Sequence, residues 1–259
     1  MNQDERRVFL INYLLKENAD FKNIAIPESV GEQRQLLRAL MNIREAKPVS
    51  EEFLSVQNEY LQTVSAEKGV VGIEDTELLQ KDIYLWQGDI TRLSVDGIVN
   101  AANSGMTGCY QPNHSCIDNC IHTFSGVQLR LECAELMKKQ GFPEPTGGAK
   151  ITSAYNLPCK YVLHTVGPIV QGNVTREDKS LLSLCYQNCL ETAVKNGLQS
   201  IAFCCISTGV FCFPNKKAAE IAVSTVKKYK AETKNEIKVV FNVFKDTDYN
   251  IYRELLGKN

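Results

Sequence analysis

The chain has 259 residues and a formal net charge of −1, and 44% of its residues are hydrophobic. This hydrophobic fraction can fill a globular core, and the near-zero net charge predicts neither a nucleic-acid nor a membrane partner. The apolar runs fall short of the roughly 18 residues that a membrane span requires. The N-terminus lacks a small-residue cleavage site, so no signal peptide is expected, and the ten cysteines then predict a cytoplasmic protein with free or metal-bound thiols.

Residues 1–81 contain helical patterns only. The stretch "RRVFLINYLLKE" carries apolar residues at helical spacing. A second helix is predicted after Ser29, which precedes Glu32 at capping-box spacing, and a third is predicted from Ser50 to a stop at Gly69. We therefore predict an N-terminal helical extension. Its helices either dock a target or simply cover the sheet, and their apolar faces favour packing.

Residues 82–259 alternate between strand and helix patterns. Strands are predicted for "IYLWQ", "GIVNAA", "AKITSAY", "KYVLHTV", "SIAFCCI" and "IKVVFNVF". Helices are predicted between them, including one continuous helix from Ile117 to Gly141, and a last helix is predicted at "TDYNIYRELL". This alternation is typical of a three-layer α/β domain with a largely parallel sheet. Ligands of such domains bind beyond the carboxyl ends of the strands.

Three loops follow predicted strand ends: "QGDIT", "AANSGMTGCYQPNHSCIDN" and "ISTGVFCFP". The third loop places Ser207, Thr208 and Gly209 ahead of a helix predicted from Asn215. Small residues allow backbone amides to approach a phosphate, and a helix N-terminus attracts anions. A Ser-Thr-Gly turn taken alone is weak support for a phosphate site, because most such turns serve only as turns.

The second loop contains a candidate metal site. Cys109, His114 and Cys116 form a C-x4-H-x-C pattern, and thiolate and imidazole ligands suit zinc. Three protein ligands would leave one coordination position open, as in catalytic zinc sites. Two alternatives remain: the cysteines pack as small hydrophobic residues, or Cys120, one helical turn after Cys116, closes the site as a fourth ligand.

The loops belong to longer motifs that carry a family resemblance. "GDIT", "VNAAN", "TGGAKITSAYNLPCKYVLHTVGP", "ISTGVFCFP" and "VFKDTDYNIYRELL" occur in the order found in macrodomains, the ADP-ribose-binding fold, and most resemble the MacroD-type hydrolases. The resemblance covers roughly residue 82 to the C-terminus and implies a mixed, largely parallel sheet. Where MacroD-type members carry a run of glycines, this chain has "GCYQPNHSCIDN". That replacement resembles the zinc-dependent bacterial branch of the family.

The resemblance implies an activity and its partners. The expected function is zinc-dependent removal of mono-ADP-ribose from acidic, aspartate-type side chains of proteins. The bound partner would be ADP-ribose on a modified protein, and the branch suggests a lipoylated carrier protein and a class M sirtuin as associated proteins. The alternatives are a non-catalytic ADP-ribose reader, and a hydrolase of small derivatives such as O-acetyl-ADP-ribose.

The resemblance also assigns roles to individual residues. Asp89 would accept from the adenine amino group, the Ile90 amide would donate to the ring, and Phe244 would stack on it, unless Phe244 packs in the core. Backbone amides would bind the diphosphate from two sides, namely those of Ser207, Thr208, Gly209, Val210 and Phe211, and those of Ile117, Asp118 and Asn119.

At the reacting centre, the same resemblance places Asn103 on the distal ribose and Asp118 beside it. Asp118 would position water, deprotonate water or buttress the ribose; alternatively it is only the N-cap of its helix. Asn100 is expected to brace the loop. His122 and His164 are expected to be hydrogen-bonded core histidines.

Overall fold

The computed structural model describes residues 1–21 and 23–257. Within these residues the chain forms eight α-helices and nine β-strands. The first three helices are α1 (Gln3–Lys16), α2 (Val30–Ile43) and α3 (Glu51–Lys68). The predicted caps are confirmed, because Ser29 Oγ accepts from the Glu32 amide and Ser50 Oγ accepts from the Phe53 amide.

The prediction that residues 1–81 are helical only is wrong. Two short strands follow the helices, β1 (Val71–Gly72) and β2 (Glu77–Gln80). Strand β2 pairs antiparallel with β3 (Ile83–Gln87) at the edge of the main sheet. Four residues of an edge strand provide too short a pattern to be recognised in the sequence. The boundary between the two predicted parts stays a prediction, and residues 258–259 lie outside the described residues.

The main sheet is mixed and largely parallel, as predicted. Its later strands are β5 (Gly97–Ala102), β6 (Ala149–Ser153), β7 (Tyr161–Val166), β8 (Ser200–Phe203) and β9 (Lys238–Val243). Strand β4 (Leu93–Ser94) instead pairs in parallel with β1 in a separate two-stranded sheet. The seven-stranded sheet has the order β2-β3-β9-β8-β5-β7-β6, and only its two edge pairings are antiparallel. The five inner strands therefore end at the same edge.

The later helices flank this sheet. They are α4 (Ile117–Ser125), α5 (Val127–Gln140), α6 (Arg176–Lys195), α7 (Asn215–Thr233) and α8 (Asp246–Gly257). The predicted continuous helix from residue 117 to 141 is wrong, because it is broken at Gly126, whose φ of 101° does not fit a helix. None of the helices in the described part of the chain is long and apolar enough to cross a membrane.

The N-terminal helices have a core of their own. Leu10, Phe53 and their neighbours on α1–α3 form a buried cluster that includes only Val127 from the macrodomain-like part. Helices α2 and α3 contact α4, so the extension packs on the helix that follows the cysteine-containing loop. The favoured expectation of packing holds, although the helices pack against α4 rather than over the sheet.

Candidate functional site

The predicted ligand loops meet at one edge of the sheet. Strands β3, β9, β8 and β5 are parallel neighbours, so the segments that follow them lie side by side. Hydrogen bonds join two of these segments: the Gly88 amide donates to Val243 O (2.9 Å), and Asn242 Nδ2 donates to Gly88 O (2.9 Å). This edge is where a parallel sheet places its ligands.

The structure brings the three predicted metal ligands together. The Sγ atoms of Cys109 and Cys116 and a ring nitrogen of His114 all lie within 4.8 Å of one another. The Cys109 Sγ–His114 Nδ1 distance is 3.5 Å, and a tetrahedral zinc ion with usual bond lengths would separate such atoms by about 3.6 Å. Cys120 does not join this group among the described residues; its Sγ instead lies 3.5 Å from Arg38 Nη2. The donor set and spacing fit a zinc ion with one open position.

The Cys116 side chain also caps α4. Its Sγ accepts from the Asn119 amide at 3.4 Å, so the alternative that Asp118 is only the N-cap of this helix is wrong. Burial raises the pKa of the Cys116 thiol to about 12. A thiol of this kind binds a cation as the thiolate, with release of a proton.

Asp118 lies in the first turn of α4 with 5% of its surface exposed. Asn100 Nδ2 donates to its Oδ1 at 2.8 Å, and Asn103 Nδ2 donates to its Oδ2 at 3.3 Å. Burial raises the pKa of Asp118 to about 6, and the hydrogen bond from Asn100 opposes this effect. Among the described residues the Asn100 side chain bonds to Asp118 and His164, so it braces the start of α4, and its expected role as a loop brace stays a prediction. Asn103 also donates to Gly108 O at 3.1 Å, which ties the carboxylate to the cysteine-containing loop.

Two buried histidines lie behind Asp118. His164 is hydrogen-bonded, as predicted, because its ring nitrogens contact Thr152 Oγ1 (2.9 Å) and Asn100 Nδ2 (3.2 Å). Burial lowers the pKa of His164 to about 4. The same prediction is wrong for His122: neither of its ring nitrogens has a hydrogen-bond partner among the described residues. Its Nε2 lies 3.6 Å from Asp118 Oδ1.

Gly108 shapes the start of the cysteine-containing loop. Its φ is +86°, and a Cβ at this position would lie 2.7 Å from His122 Cγ. Both the backbone conformation and the contact exclude a larger residue. Pattern analysis missed this glycine because the conflict arises from a residue on α4.

The loop after β8 presents several free backbone amides. The Thr208 amide is used in a turn, donating to Cys205 O (3.4 Å). In residues 1–21 and 23–257, no protein acceptor is found for the amides of Ser207, Gly209, Val210 and Phe211. Four free amides that follow a strand end form a suitable cradle for an anion. A diphosphate role for these amides, and for those of Ile117, Asp118 and Asn119, stays a prediction.

Gly167 allows the neighbouring loop to approach this cradle. A Cβ on Gly167 would overlap Ser207 Oγ. The two loops are also joined by the Val170 amide, which donates to Phe211 O at 2.9 Å.

The opposite end of the site contains Asp89 and Phe244. Phe244 is 75% exposed, so core packing, the alternative to adenine stacking, is wrong. Asp89 Oδ1 accepts from the Thr91 amide (3.0 Å) and Oγ1 (2.6 Å), and Oδ2 faces Lys68 Nζ at 3.3 Å. Burial raises the Asp89 pKa, but the Thr91 hydrogen bonds and the Lys68 charge outweigh burial and hold the pKa below its ordinary value.

Lys68 is a site residue that sequence analysis missed. It is the last residue of α3, and its Nζ lies 3.3 Å from the centre of the Phe124 ring. The extension therefore reaches the proposed adenine end of the site. No local pattern could have shown this, because Lys68 and Asp89 belong to different elements and a surface lysine at a helix end is ordinary.

Comparisons with known proteins place the sequence and the fold of this chain. The Macro domain family profile matches residues 99–222. A protein-ADP-ribose hydrolase of Treponema medium is 56% identical over 99% of this chain and 100% of its own length. A protein-ADP-ribose hydrolase of Staphylococcus aureus (strain MSSA476) is 48% identical over 98% of this chain and 96% of its own length. The solved Trypanosoma brucei macrodomain in complex with ADP-ribose is 29% identical, with a TM-score of 0.66 over 89% of this chain and 97% of that chain.

A sheet with this strand order, with its ligand loops at one edge, defines an α/β domain of the macrodomain class. This chain belongs to the macrodomain family.

Proposed function

We propose that this protein is a zinc-dependent hydrolase that removes mono-ADP-ribose from acidic side chains of proteins. One observation carries the proposal: the buried Asp118 carboxylate lies on the same first turn of α4 as Cys116, which groups with Cys109 and His114. A carboxylate and a metal-ligand set are thereby held next to a helix N-terminus, where an anionic substrate binds. The names of the Treponema medium and Staphylococcus aureus relatives support hydrolysis of protein-linked ADP-ribose.

The loops would bind ADP-ribose along the sheet edge. Asp89 and the Ile90 amide would contact adenine, and the exposed ring of Phe244 would stack on it. The free amides after β8 would donate to the diphosphate. Asn103, whose Nδ2 already contacts Asp118, would hold the distal ribose against the carboxylate.

Cys109, His114 and Cys116 would hold the zinc ion. When bound, zinc supplies a Lewis acid that polarises a coordinated hydroxyl or water. The side chain of Asp118 is fixed by two asparagines, so its Oδ atoms can orient a water molecule and accept its proton.

The reaction breaks the ester between the anomeric carbon and the target carboxylate. The bonding electrons leave with the carboxylate, water adds its oxygen to the anomeric carbon, and the water proton passes to Asp118 Oδ or solvent. The products are ADP-ribose and the free acidic side chain. Positive charge develops on the sugar in the transition state, as in glycoside hydrolysis.

The test is single-turnover release of ADP-ribose from aspartate-modified protein, with and without a chelator. An ADP-ribose titration is run on the same samples. The folded, chelated protein is expected to bind ADP-ribose and to release none from the modified target. Near-normal release without zinc would contradict zinc dependence.

The same assay distinguishes the alternatives. Binding without release from any modified protein would indicate a reader, and release only from O-acetyl-ADP-ribose would indicate a small-molecule hydrolase. A lipoylated carrier protein modified by a class M sirtuin belongs in the substrate panel, because the resemblance of the cysteine-containing loop suggests this target.

A further inference from the structure

The backbone of the proposed metal loop, residues 109–116, is held by side chains from outside it. The buried Asn119 side chain is the first of these: its Nδ2 donates to Gln111 O (2.9 Å) and Cys109 O (3.3 Å). Its backbone amide donates to Cys116 Sγ. Asn119 thus contacts both ends of the loop at once.

Arg38, on helix α2, determines how the Asn119 amide group is turned. Arg38 Nη2 donates to Asn119 Oδ1 at 2.9 Å, so the Nδ2 end must face the loop carbonyls. The same Nη2 donates to His114 O at 2.7 Å. One guanidinium group therefore fixes the backbone of a proposed ligand directly and that of Cys109 through Asn119.

Asn42, one turn further along α2, holds the middle of the loop. Its Oδ1 accepts from the Asn113 amide at 2.9 Å, and its Nδ2 donates to Thr123 Oγ1 of α4 at 2.9 Å. Asn113 has a φ of +56°, in the left-handed region that asparagine adopts more readily than most other non-glycine residues. The contact from Asn42 supports this conformation directly before His114.

Helix α2 is itself anchored to the domain. Arg130 of α5 is buried, and its Nη1 donates to Met41 O (3.1 Å), Asn42 O (2.7 Å) and Arg44 O (2.5 Å) at the end of α2. Its Nε donates to Thr107 O at 2.8 Å, just before the metal loop. A cation at the C-terminus of a helix also interacts favourably with the helix dipole.

We infer that Arg38 and Asn42 are positioning residues for the metal site. Helix α2 of the N-terminal extension would therefore determine how tightly that site binds zinc. This inference rests on the proposed function. The two side chains hold residues 109–116 in the arrangement that groups the two thiols with the imidazole. Without them, the loop backbone must become ordered when the metal binds, and this loss of conformational freedom weakens binding.

The expected loss of zinc affinity can be taken from residues that hydrogen-bond to the ligands of known metal sites. Loss of a hydrogen-bond partner that orients a ligand commonly costs 10- to 100-fold in metal affinity. We expect a loss in that range for Arg38→Gln, whose shorter side chain cannot reach both Asn119 and His114. A smaller loss is expected for Asn42→Leu, which removes only the contact to Asn113 and the bond to Thr123.

The test measures zinc affinity of the full chain by competition with a chromogenic chelator. The absorption spectrum of the cobalt-substituted protein is recorded alongside, because it reports the coordination geometry. Arg38→Lys keeps a donor and should recover part of the affinity. Arg6→Gln is the matched control: it removes an arginine that pairs with Glu59 within the extension and makes no contact with the loop.

A weaker zinc affinity and an altered cobalt spectrum in Arg38→Gln, with Arg6→Gln unchanged, would support the inference. If Arg38→Gln does not fold, Asn42→Leu decides by the same two measurements. Wild-type zinc affinity in the folded variants would overturn the positioning role and leave the proposed function intact. A wild-type protein that binds no zinc would overturn the proposed metal site and the inference together.

Discussion

Replacement of Asp89 by Asn tests the proposed adenine contact with little disturbance of the fold. The two carboxylate oxygens of Asp89 make separate contacts. Oδ1 caps the turn at Thr91, and Oδ2 faces Lys68 and would accept from adenine. Asp89→Asn can keep the oxygen toward Thr91 and places an amino group where Oδ2 was. Asp89→Ala would remove both the contact to Thr91 and the proposed acceptor of adenine, so it is the less informative variant.

The expected loss follows from the contacts. Replacing the acceptor of the adenine amino group leaves two donors facing each other, which costs about 1–3 kcal/mol, or roughly 5- to 160-fold in Kd. Both side chains of the Lys68–Asp89 pair are about one-third exposed, so loss of the pair changes the free energy of ADP-ribose binding by under about 1 kcal/mol. Lys68→Met, the control, should therefore change the Kd by less than about 5-fold.

Calorimetric titration with two nucleotides gives the sharpest result. Hypoxanthine carries a carbonyl where adenine carries its amino group, so the hypoxanthine analogue of ADP-ribose should bind the wild-type protein weakly. Asp89→Asn should bind this analogue better than the wild type does, because its new amino group can donate to the carbonyl. Unchanged ADP-ribose affinity in Asp89→Asn, or equal weakening of both nucleotides, would refute the proposed adenine pocket.

Three further predictions concern the metal, the carboxylate and the buried core. Metal analysis should find about one zinc per chain in the wild type and in Cys120→Ala, and little in Cys116→Ala; full zinc in Cys116→Ala would exclude it as a ligand. Asp118→Ala should bind ADP-ribose but release it from modified aspartate about 10²-fold more slowly in single-turnover assays, and an unchanged rate would remove Asp118 from the mechanism. Burial lowers the pKa of His164 from 6.5 to about 4. Between these pH values the unfolded chain binds a proton that the folded chain does not, so the free energy of unfolding decreases as pH falls through this window. The loss amounts to ~3 kcal/mol. Urea unfolding of the metal-free proteins at pH 6.5 and 4.5 should therefore show a smaller acid destabilisation for His164→Gln, and equal losses would contradict this assignment.

Much of the architecture is encoded in short-range patterns. Long helices such as α2 and α6 and inner strands such as β5 and β7 were predictable, since hydrophobic periodicity and caps act within a few residues. The grouping of Cys109, His114 and Cys116 was predictable for the same reason: the three residues lie on one loop, and their residue types suit zinc. Because alternating strands and helices predict a largely parallel sheet, the loops that follow the strands were expected at one edge of it.

The tertiary structure alone decided which distant side chains complete the site. Lys68 lies 21 residues from Asp89, and Arg38 lies 76 residues from His114. Neither contact leaves a periodic or spacing signal, because it depends on how α2 and α3 pack against α4. The edge strand β2 was missed since its pairing partner, rather than its own four residues, stabilises it. The burial of Asp118 has the same origin: a carboxylate is solvated in the unfolded chain, and only the packing of α4 against β5 removes it from water.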